Sequence, residues 1–367
     1  MKITDIRLGM LRVPLKTPFK TALRTVDRVE DVIVMLHTDT GHVGYGGAPP
    51  TAAITGDTHE SIVTAIERSI APRVVGHEIA NLNRLVQLVQ SALEKNTNAK
   101  AAVEIAIYDL YGQLYDAPLY KMLGGGEPLV TTDITISLDG IDKMVADSIH
   151  AVERGFESLK IKVGKDIEVD LDRIKAIYAA VGDRARLRLD ANQGWIAAQA
   201  VDALHKLEDA GIHLEFVEQP VKAQDLDGLK YITERVQTPI MADESAFGPA
   251  QVIELIRMRA ADLVNIKLMK AGGISNALRI ADIAEMFGID CMIGCMLESS
   301  ISVAAAAHVA AAKANVITKV DLDSPSFCTF NPVDGGVIFN ESTISMSDAP
   351  GLGIRAIRGL EPLGARG

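Results

Sequence analysis

Only three of the 367 residues are cysteine: Cys291, Cys295 and Cys328. They cannot all pair and their spacing fits no zinc motif, so neither a disulfide scaffold nor a structural zinc site is expected. Basic residues are also short. The 37 Lys and Arg against 48 Asp and Glu leave a net charge of −11 with no basic patch to offset it. Nucleic acid and anionic membranes would be repelled and are not expected as partners. A long apolar run is missing as well: the softest stretch, Ser302 to Ala312, is alanine-rich, carries His308, and is too short to span a bilayer. The first fifteen residues interleave charges with apolar side chains and lack the unbroken apolar core of a secretory signal. A protein of the reducing cytoplasm is expected.

What is present is enough apolar surface for a large core: 48% of residues are hydrophobic and 23% charged. The length suits two domains, or one large barrel with an appended element. Residues 2–11, 29–38 and 41–46 alternate in strand fashion, with a turn at Asp39-Thr40-Gly41. From 59 to 122 the period becomes helical, through Ile62, Ile66 and Ile70 and later Ala102, Ile105, Ala106 and Leu110. After Leu129, apolar strands alternate with amphipathic helices. The strands are expected at 131–137, 158–163, 186–190, 214–218, 240–243, 263–268, 290–294 and 316–322. Eight strands, seven of them followed by helices, predict an α/β fold of the modified TIM-barrel type, (β/α)7β. An open doubly wound sheet is the alternative. The expected organisation is an α+β capping domain at 1–125, the barrel at 126–334, and a segment 335–367 returning to the cap.

In such a barrel the carboxyl ends of the strands form the site. Here they carry Lys160-Ile161-Lys162, Asp190-Ala191-Asn192, Glu218-Gln219-Pro220, Asp243-Glu244 and Asn265-Ile266-Lys267, with Asp321-Leu322-Asp323 after the eighth. The intervals are 28 residues from Lys162 to Asp190, 28 to Glu218, 25 to Asp243 and 24 to Lys267, each about one βα unit. Three carboxylates at one height would repel strongly unless a cation joined them, so Asp190, Glu218 and Asp243 are expected to hold one Mg²⁺ per subunit. Any one of them alone reads more simply as a lysine partner or a helix cap. Lys162 and Lys267 stand on opposite walls, which suits removal of an α-proton from one face of a substrate and return to the other. Lys160 is expected to lower the basicity of Lys162 by like-charge repulsion, with Glu244 and Asn192 as supporting neighbours.

Together these strand ends resemble the muconate lactonising subgroup of the enolase superfamily. Within it, the stretches Pro18-Phe19-Lys20-Thr21-Ala22-Leu23-Arg24-Thr25, Ile54-Thr55-Gly56-Asp57 and Asp321-Leu322-Asp323 are most similar to the dipeptide epimerases, typified by L-Ala-D/L-Glu epimerase. The resemblance implies a small dipeptide substrate whose free ammonium meets Asp321 and Asp323. It also implies that Arg24 pairs with an acidic side chain, and that the strand-seven end Cys295, Met296, Leu297 and Glu298, with Thr135 and Lys160, completes the pocket. A homo-oligomer and a role in murein-peptide metabolism follow from the same resemblance. One departure is the turn Gly44-Tyr45-Gly46-Gly47, where close relatives often carry an acid last. An o-succinylbenzoate synthase or a cycloisomerase, starting from the same enolate, is the alternative activity; a binding barrel without chemistry is a second.

Overall fold

The computed structural model describes residues 1–363. The cap is an antiparallel sheet of β1 (Ile3–Lys20), β2 (Thr25–Thr38) and β3 (Val43–Ala48). β1 runs well past the expected residue 11. A register shift between Pro14 and Phe19 lets the β1–β2 ribbon continue beyond the proline, which a bulge accommodates because the missing N–H falls outside the ladder. Alternation gives the sheet two apolar faces. Leu8, Met10, Val32, Val34 and Leu36 belong to the cap's own core, while Leu11, Val13 and Ile33 join the core that includes the barrel. The long helix Thr97–Leu114 packs on β3, where Gly44 and Gly46 leave no room for a Cβ against the carbonyls of Ala106 and Ala102.

The expected strand 131–137 is two strands, β4 (Leu129–Thr131) and β5 (Ile134–Ile136). The chain changes sheets at Thr132 and Asp133, whose N–H groups donate to Ser342 and Val320 carbonyls at 2.8 and 3.1 Å. No local pattern announces that switch. β5 opens a parallel eight-stranded sheet in sequential order with β6 (Ser158–Lys162), β7 (Arg186–Asp190), β8 (Leu214–Glu218), β9 (Ile240–Ala242), β10 (Leu263–Lys267), β11 (Cys291–Gly294) and β12 (Ile317–Asp321). The ring nearly closes, through the Asp133–Val320 bond and through the Leu322 N–H on Thr132 Oγ1 at 2.8 Å. The fold is therefore the capped barrel, not the open sheet. Beyond it lie β13 (Val333–Gly335), β14 (Ile338–Asn340), β15 (Thr343–Ser345), β16 (Ile354–Ile357) and β17 (Glu361–Leu363). β14 and β15 form a sheet with β4, and β17 pairs antiparallel with β1. Residues 364–367 of the expected terminal segment lie outside the described residues. No helix among the described residues is long and apolar enough to cross a membrane.

Glu104, a buried acid of the cap's long helix, ties the cap to the barrel. Glu104 accepts the Ser275 N–H at 2.6 Å, the Ser275 hydroxyl at 3.1 Å and Gln90 Nε2 at 2.7 Å, at the start of helix Ile274–Met286. Glu104→Ala removes an acceptor from three buried donors next to a positive helix end, and is expected to lower stability by about 3 kcal/mol. Urea denaturation of the two proteins measures it.

Candidate active site

Lys162, Asp190 and Glu218 lie in one register row, which continues through Met241 to Leu263. Asp243 follows Met241 by two residues, and Lys267 follows Leu263 by four. Strands tilted in a barrel of shear eight climb about one residue per strand around the ring, so these later positions return to the height of Lys162. The next row joins Lys267 to Gly294 and Asp321. The chain turns sharply just past two of these strand ends, with Asn192, Gln193 and Gln219 at φ of 42°, 66° and 38°. Left-handed backbone is disfavoured for non-glycine residues and marks a position enforced by its surroundings. The Gln219 side chain enforces one of them: its Oε1 accepts the Asp243 and Ser245 N–H groups at 2.9 and 3.1 Å.

All of these charges are buried, and they neutralise one another. Lys162 Nζ donates to Asp190 Oδ2 at 2.5 Å, and Lys267 Nζ to Asp243 Oδ2 at 2.7 Å. Lys160 reaches Asp321 at 2.6 Å, Glu218 at 2.7 Å and Asp190 at 3.2 Å. Its charge is thus shared among three carboxylates, where the sequence suggested mainly repulsion of Lys162. Burial opposes ionisation of Asp190, yet Lys162 and Lys160 hold it down at about 2. Against the same opposition, Lys267 and Lys270 keep Asp243 well below the usual carboxylate range. Burial opposes the charge on Lys267 too, but Asp243 raises it above the ordinary lysine value. Glu218 is pushed to about 7 by burial and by Asp190, and Glu244 to about 8 by burial and by Asp243 and Asp190.

Two sets of acids compete as a cation site. Asp133, Asp321 and Asp323 bring oxygens within 4.8 Å of one another. Each of these residues is already engaged: Arg188 donates to Asp133 at 2.7 Å, Lys160 to Asp321, and the Thr135 N–H to Asp323 at 2.6 Å. Of this cluster's oxygens Asp133 Oδ1 is buried without a hydrogen-bond partner among the described residues; between Lys162 and Lys267 there are more such atoms. Glu218 Oε2, Asp243 Oδ1 and both oxygens of Glu244 are buried without a hydrogen-bond partner among the described residues. Lys160 and Lys270 come within ion-pair distance of the first two, 2.7 and 2.5 Å, without hydrogen-bonding alignment. Hard oxygen donors without hydrogen-bond partners in a buried site fit a Mg²⁺ ion; here they belong to Glu218, Asp243 and Glu244, while the oxygens of neighbouring Asp190 accept from Lys162 and the Asn192 N–H.

A cavity lies between barrel and cap, lined by Lys160, Lys162, Asn192, Lys267, Asp321 and Asp323 and by Thr135, Cys295, Met296 and Leu297. Arg24 enters from the cap ribbon; its guanidinium makes no hydrogen bond or ion pair among the described residues. Glu298, expected on this wall, does not line the cavity. It faces back, and Met296 N–H donates to its Oε1 at 3.0 Å. Asp190 and Asp243 do not line the cavity themselves but hold the two lysines that do, and Glu244 lines a separate cavity. Sequence reasoning missed four further features. Phe327 and the cap residues Ala53 and Ile54 close the cavity. Asp133 lies beside the Asp321–Asp323 pair. Lys270 braces Asp243 and the Asn265 carbonyl, the latter at 2.8 Å. Asp31 is buried in the seam between cap and barrel. Only an acid next to an otherwise apolar strand, as in Val32 to Val34 after Asp31, offered a signal.

Two lysines lining one cavity beside buried carboxylates, at the strand ends of a capped barrel, are the setting of a barrel enzyme's active site. The chain belongs to the mandelate racemase/muconate lactonizing enzyme family. Residues 4–124 match its N-terminal domain and residues 143–358 the enolase C-terminal domain-like model. It is 51% identical to the L-Ala-D/L-Glu epimerase of Clostridium acetobutylicum over 97% of this chain and 99% of that one. Among solved structures it is similar to a substrate-liganded complex of the L-Ala-D/L-Glu epimerase from Bacillus subtilis, with a TM-score of 0.95 at 49% identity, covering 97% of this chain and 99% of that one. It is also similar to the dipeptide epimerase from Enterococcus faecalis V583 complexed with Mg and L-Leu-L-Tyr. There the TM-score is 0.94 at 43% identity, covering 97% and 100% of the two chains.

Proposed function

We propose that this protein is an isomerase, a dipeptide epimerase that inverts the α-carbon of the C-terminal residue of a dipeptide such as L-Ala-L-Glu. One observation carries the reading: Lys162 and Lys267 line one cavity from β6 and β10, with Asp190, Glu218 and Asp243 on the arc between them. A substrate whose carboxylate lies over that arc presents its α-carbon between two amines. One removes a proton and the other returns one to the opposite face, and their roles exchange with the stereoisomer. Mg²⁺ held by Asp190, Glu218 and Asp243 would supply positive charge against the negative charge that grows on the carboxylate as the proton leaves. Lys267, kept protonated beside Asp243, is the amine poised to deliver. Lys160 holds Glu218, Asp190 and Asp321 in place, and Lys270 holds Asp243. Asp321 and Asp323 receive the substrate ammonium, while the cap loop with Ile54 and Arg24 excludes water.

The same acidic pair would repel a dicarboxylate lacking an ammonium, which argues against the lyase and cycloisomerase alternatives. A cytoplasmic role in cell-wall peptide metabolism and a homo-oligomeric state belong to this reading through family resemblance. The test is incubation with Mg²⁺ and a set of L,L-dipeptides in D₂O, with NMR detection of deuterium at the second α-carbon. No exchange with any dipeptide would overturn the reading.

Arg24 sets a finer expectation. A partly buried guanidinium without a partner is suited to a bidentate carboxylate. Arg24→Leu is expected to lower kcat/KM for a glutamyl-terminated dipeptide about 100-fold, in line with a charged hydrogen-bond pair. The value for a leucyl-terminated one should stay within about threefold. Equal losses on both substrates would remove Arg24 from side-chain recognition.

A further inference from the structure

A second pair of acids lies in the seam between cap and barrel. Asp31 projects from β2, and Glu298 from the turn between β11 and the helix Ser300–Ala312; their exposures are 0% and 3%. Asp31 Oδ2 accepts the Ser299 N–H at 2.8 Å and Glu298 Oε1 accepts the Met296 N–H at 3.0 Å. Two carboxyl groups from different domains thus hold one short turn, residues 295–299. The second oxygen of each, Asp31 Oδ1 and Glu298 Oε2, is buried without an aligned hydrogen-bond partner among the described residues, although the Ser299 and Ser302 hydroxyls lie close enough to Asp31 and Glu298 respectively to favour their charged forms. β3 brings only Gly47 to this place, its carbonyl accepting Ser302 Oγ at 3.0 Å.

Neither carboxyl forms an ion pair among the described residues. The titratable groups that face them are few. Lys267 acts on Glu298 from β10, Cys295 lies beside Glu298 on its own turn, and Cys328 senses Asp31 from beyond the barrel. Two buried carboxylates without a cation cannot both stay ionised, because each charge is poorly solvated and repels the other. Burial raises Asp31 to about 6. Burial, and after it the charge of Asp31, raises Glu298 to about 8. The turn they hold carries Cys295, Met296 and Leu297, which line the substrate cavity.

We propose that Asp31 is a positioning residue: it and Glu298 share one proton across the domain seam, and the resulting pair fixes the turn 295–299 as a wall of the substrate cavity. The kinetic consequence rests on the epimerase reading; the protonation consequence does not. In the unfolded chain both groups titrate near pH 4. Their folded values are higher, so the stability they contribute is complete below about pH 4 and is lost as pH rises through about 6 and then about 8. Above that the two charges repel and the wall loosens.

The experiment compares the Mg²⁺-loaded wild type with Asp31→Asn, Glu298→Gln and the double variant, recording melting temperature, KM and kcat from about pH 6 to pH 9. Asp31→Asn keeps an acceptor for Ser299 and removes the charge. The wild type is expected to lose melting temperature as pH rises, each single variant to lose less, and the double variant, with neither carboxyl left to titrate, to lose the least. In the wild type, KM should rise about tenfold over the same range, the scale of one weakened hydrogen-bonded contact, with kcat within about threefold. In Asp31→Asn that rise should be absent, leaving only the pH dependence that Asp323 gives both proteins. Wild type and Asp31→Asn with the same alkaline fall in melting temperature would overturn the shared proton. A pH-independent drop in kcat with KM unmoved would overturn the positioning role. Should no dipeptide turn over, the melting comparison still decides the protonation claim.

Discussion

Lys162→Ala and Lys267→Ala are each expected to lower epimerisation at least about 10³-fold, the range for loss of a positioned acid or base, while leaving half of the exchange chemistry in place. In the proposed mechanism each amine serves one face of the α-carbon. A variant lacking one lysine should still exchange deuterium into the stereoisomer whose proton faces the other, without inverting it. The complementary variant should exchange the opposite stereoisomer. Neither change removes the last cation from its acid: Asp190 retains Lys160 at 3.2 Å, and Asp243 retains Lys270 at 2.5 Å. Buried carboxylates that keep a partner avoid the large penalty of an uncompensated charge, so both variants are expected to fold, as circular dichroism would check. NMR of L,L- and L,D-dipeptides in D₂O reads the outcome. If both variants lose exchange of both stereoisomers while remaining folded, the two-base mechanism is wrong.

Asp323→Asn is expected to raise KM for dipeptides with a free ammonium about 100-fold and to move kcat much less. Asp323 is held by the Thr135 N–H at 2.6 Å and lies beside Asp321 and Asp133. Burial and the charge of Asp321 push it to about 7, so an arriving ammonium relieves a repulsion already present. Losing one partner of a desolvated charge pair typically removes about 2–5 kcal/mol of binding. The control is an N-acetylated dipeptide. The wild type should bind it poorly, and the variant should lose little more. Equal wild-type affinity for free and acetylated substrates would dismiss the ammonium site and reopen the lyase alternative.

Much of this architecture was legible because it repeats at short range. The expected strands 186–190 and 214–218 coincide with β7 and β8, and the barrel's other strands, apart from the first, shift by only one residue at their ends. Apolar strands buried on both faces, separated by helical periods, announce themselves within a dozen residues. The site acids and lysines were readable for the same reason: one group per βα unit recurs at the same point of each unit. The first barrel strand misled because Thr132 and Asp133 are a crossing between sheets, and what they bond to, Ser342 and Val320, lies far along the chain, beyond the other seven barrel strands or in the last of them. Glu298 misled differently. Its strand-end position was right, but its side chain turns toward the cap and away from the cavity.

The sequence by itself determined the capped (β/α)7β fold and that lysines and acids stand at the strand ends, since spacing and periodicity are properties of neighbouring residues and each unit of the barrel repeats them. Only the tertiary structure decided which charges meet. Lys160 binding three carboxylates, Lys270 bracing Asp243, Asp133 joining the terminal pair and Asp31 facing Glu298 all depend on strand tilt and on how the cap sheet seats over the mouth. Those contacts range from Lys270 on Asp243, 27 positions apart, to the bond of Asp31 with Ser299 beside Glu298, 268 apart. At such separations ring closure and domain packing choose the partners, and no local pattern can.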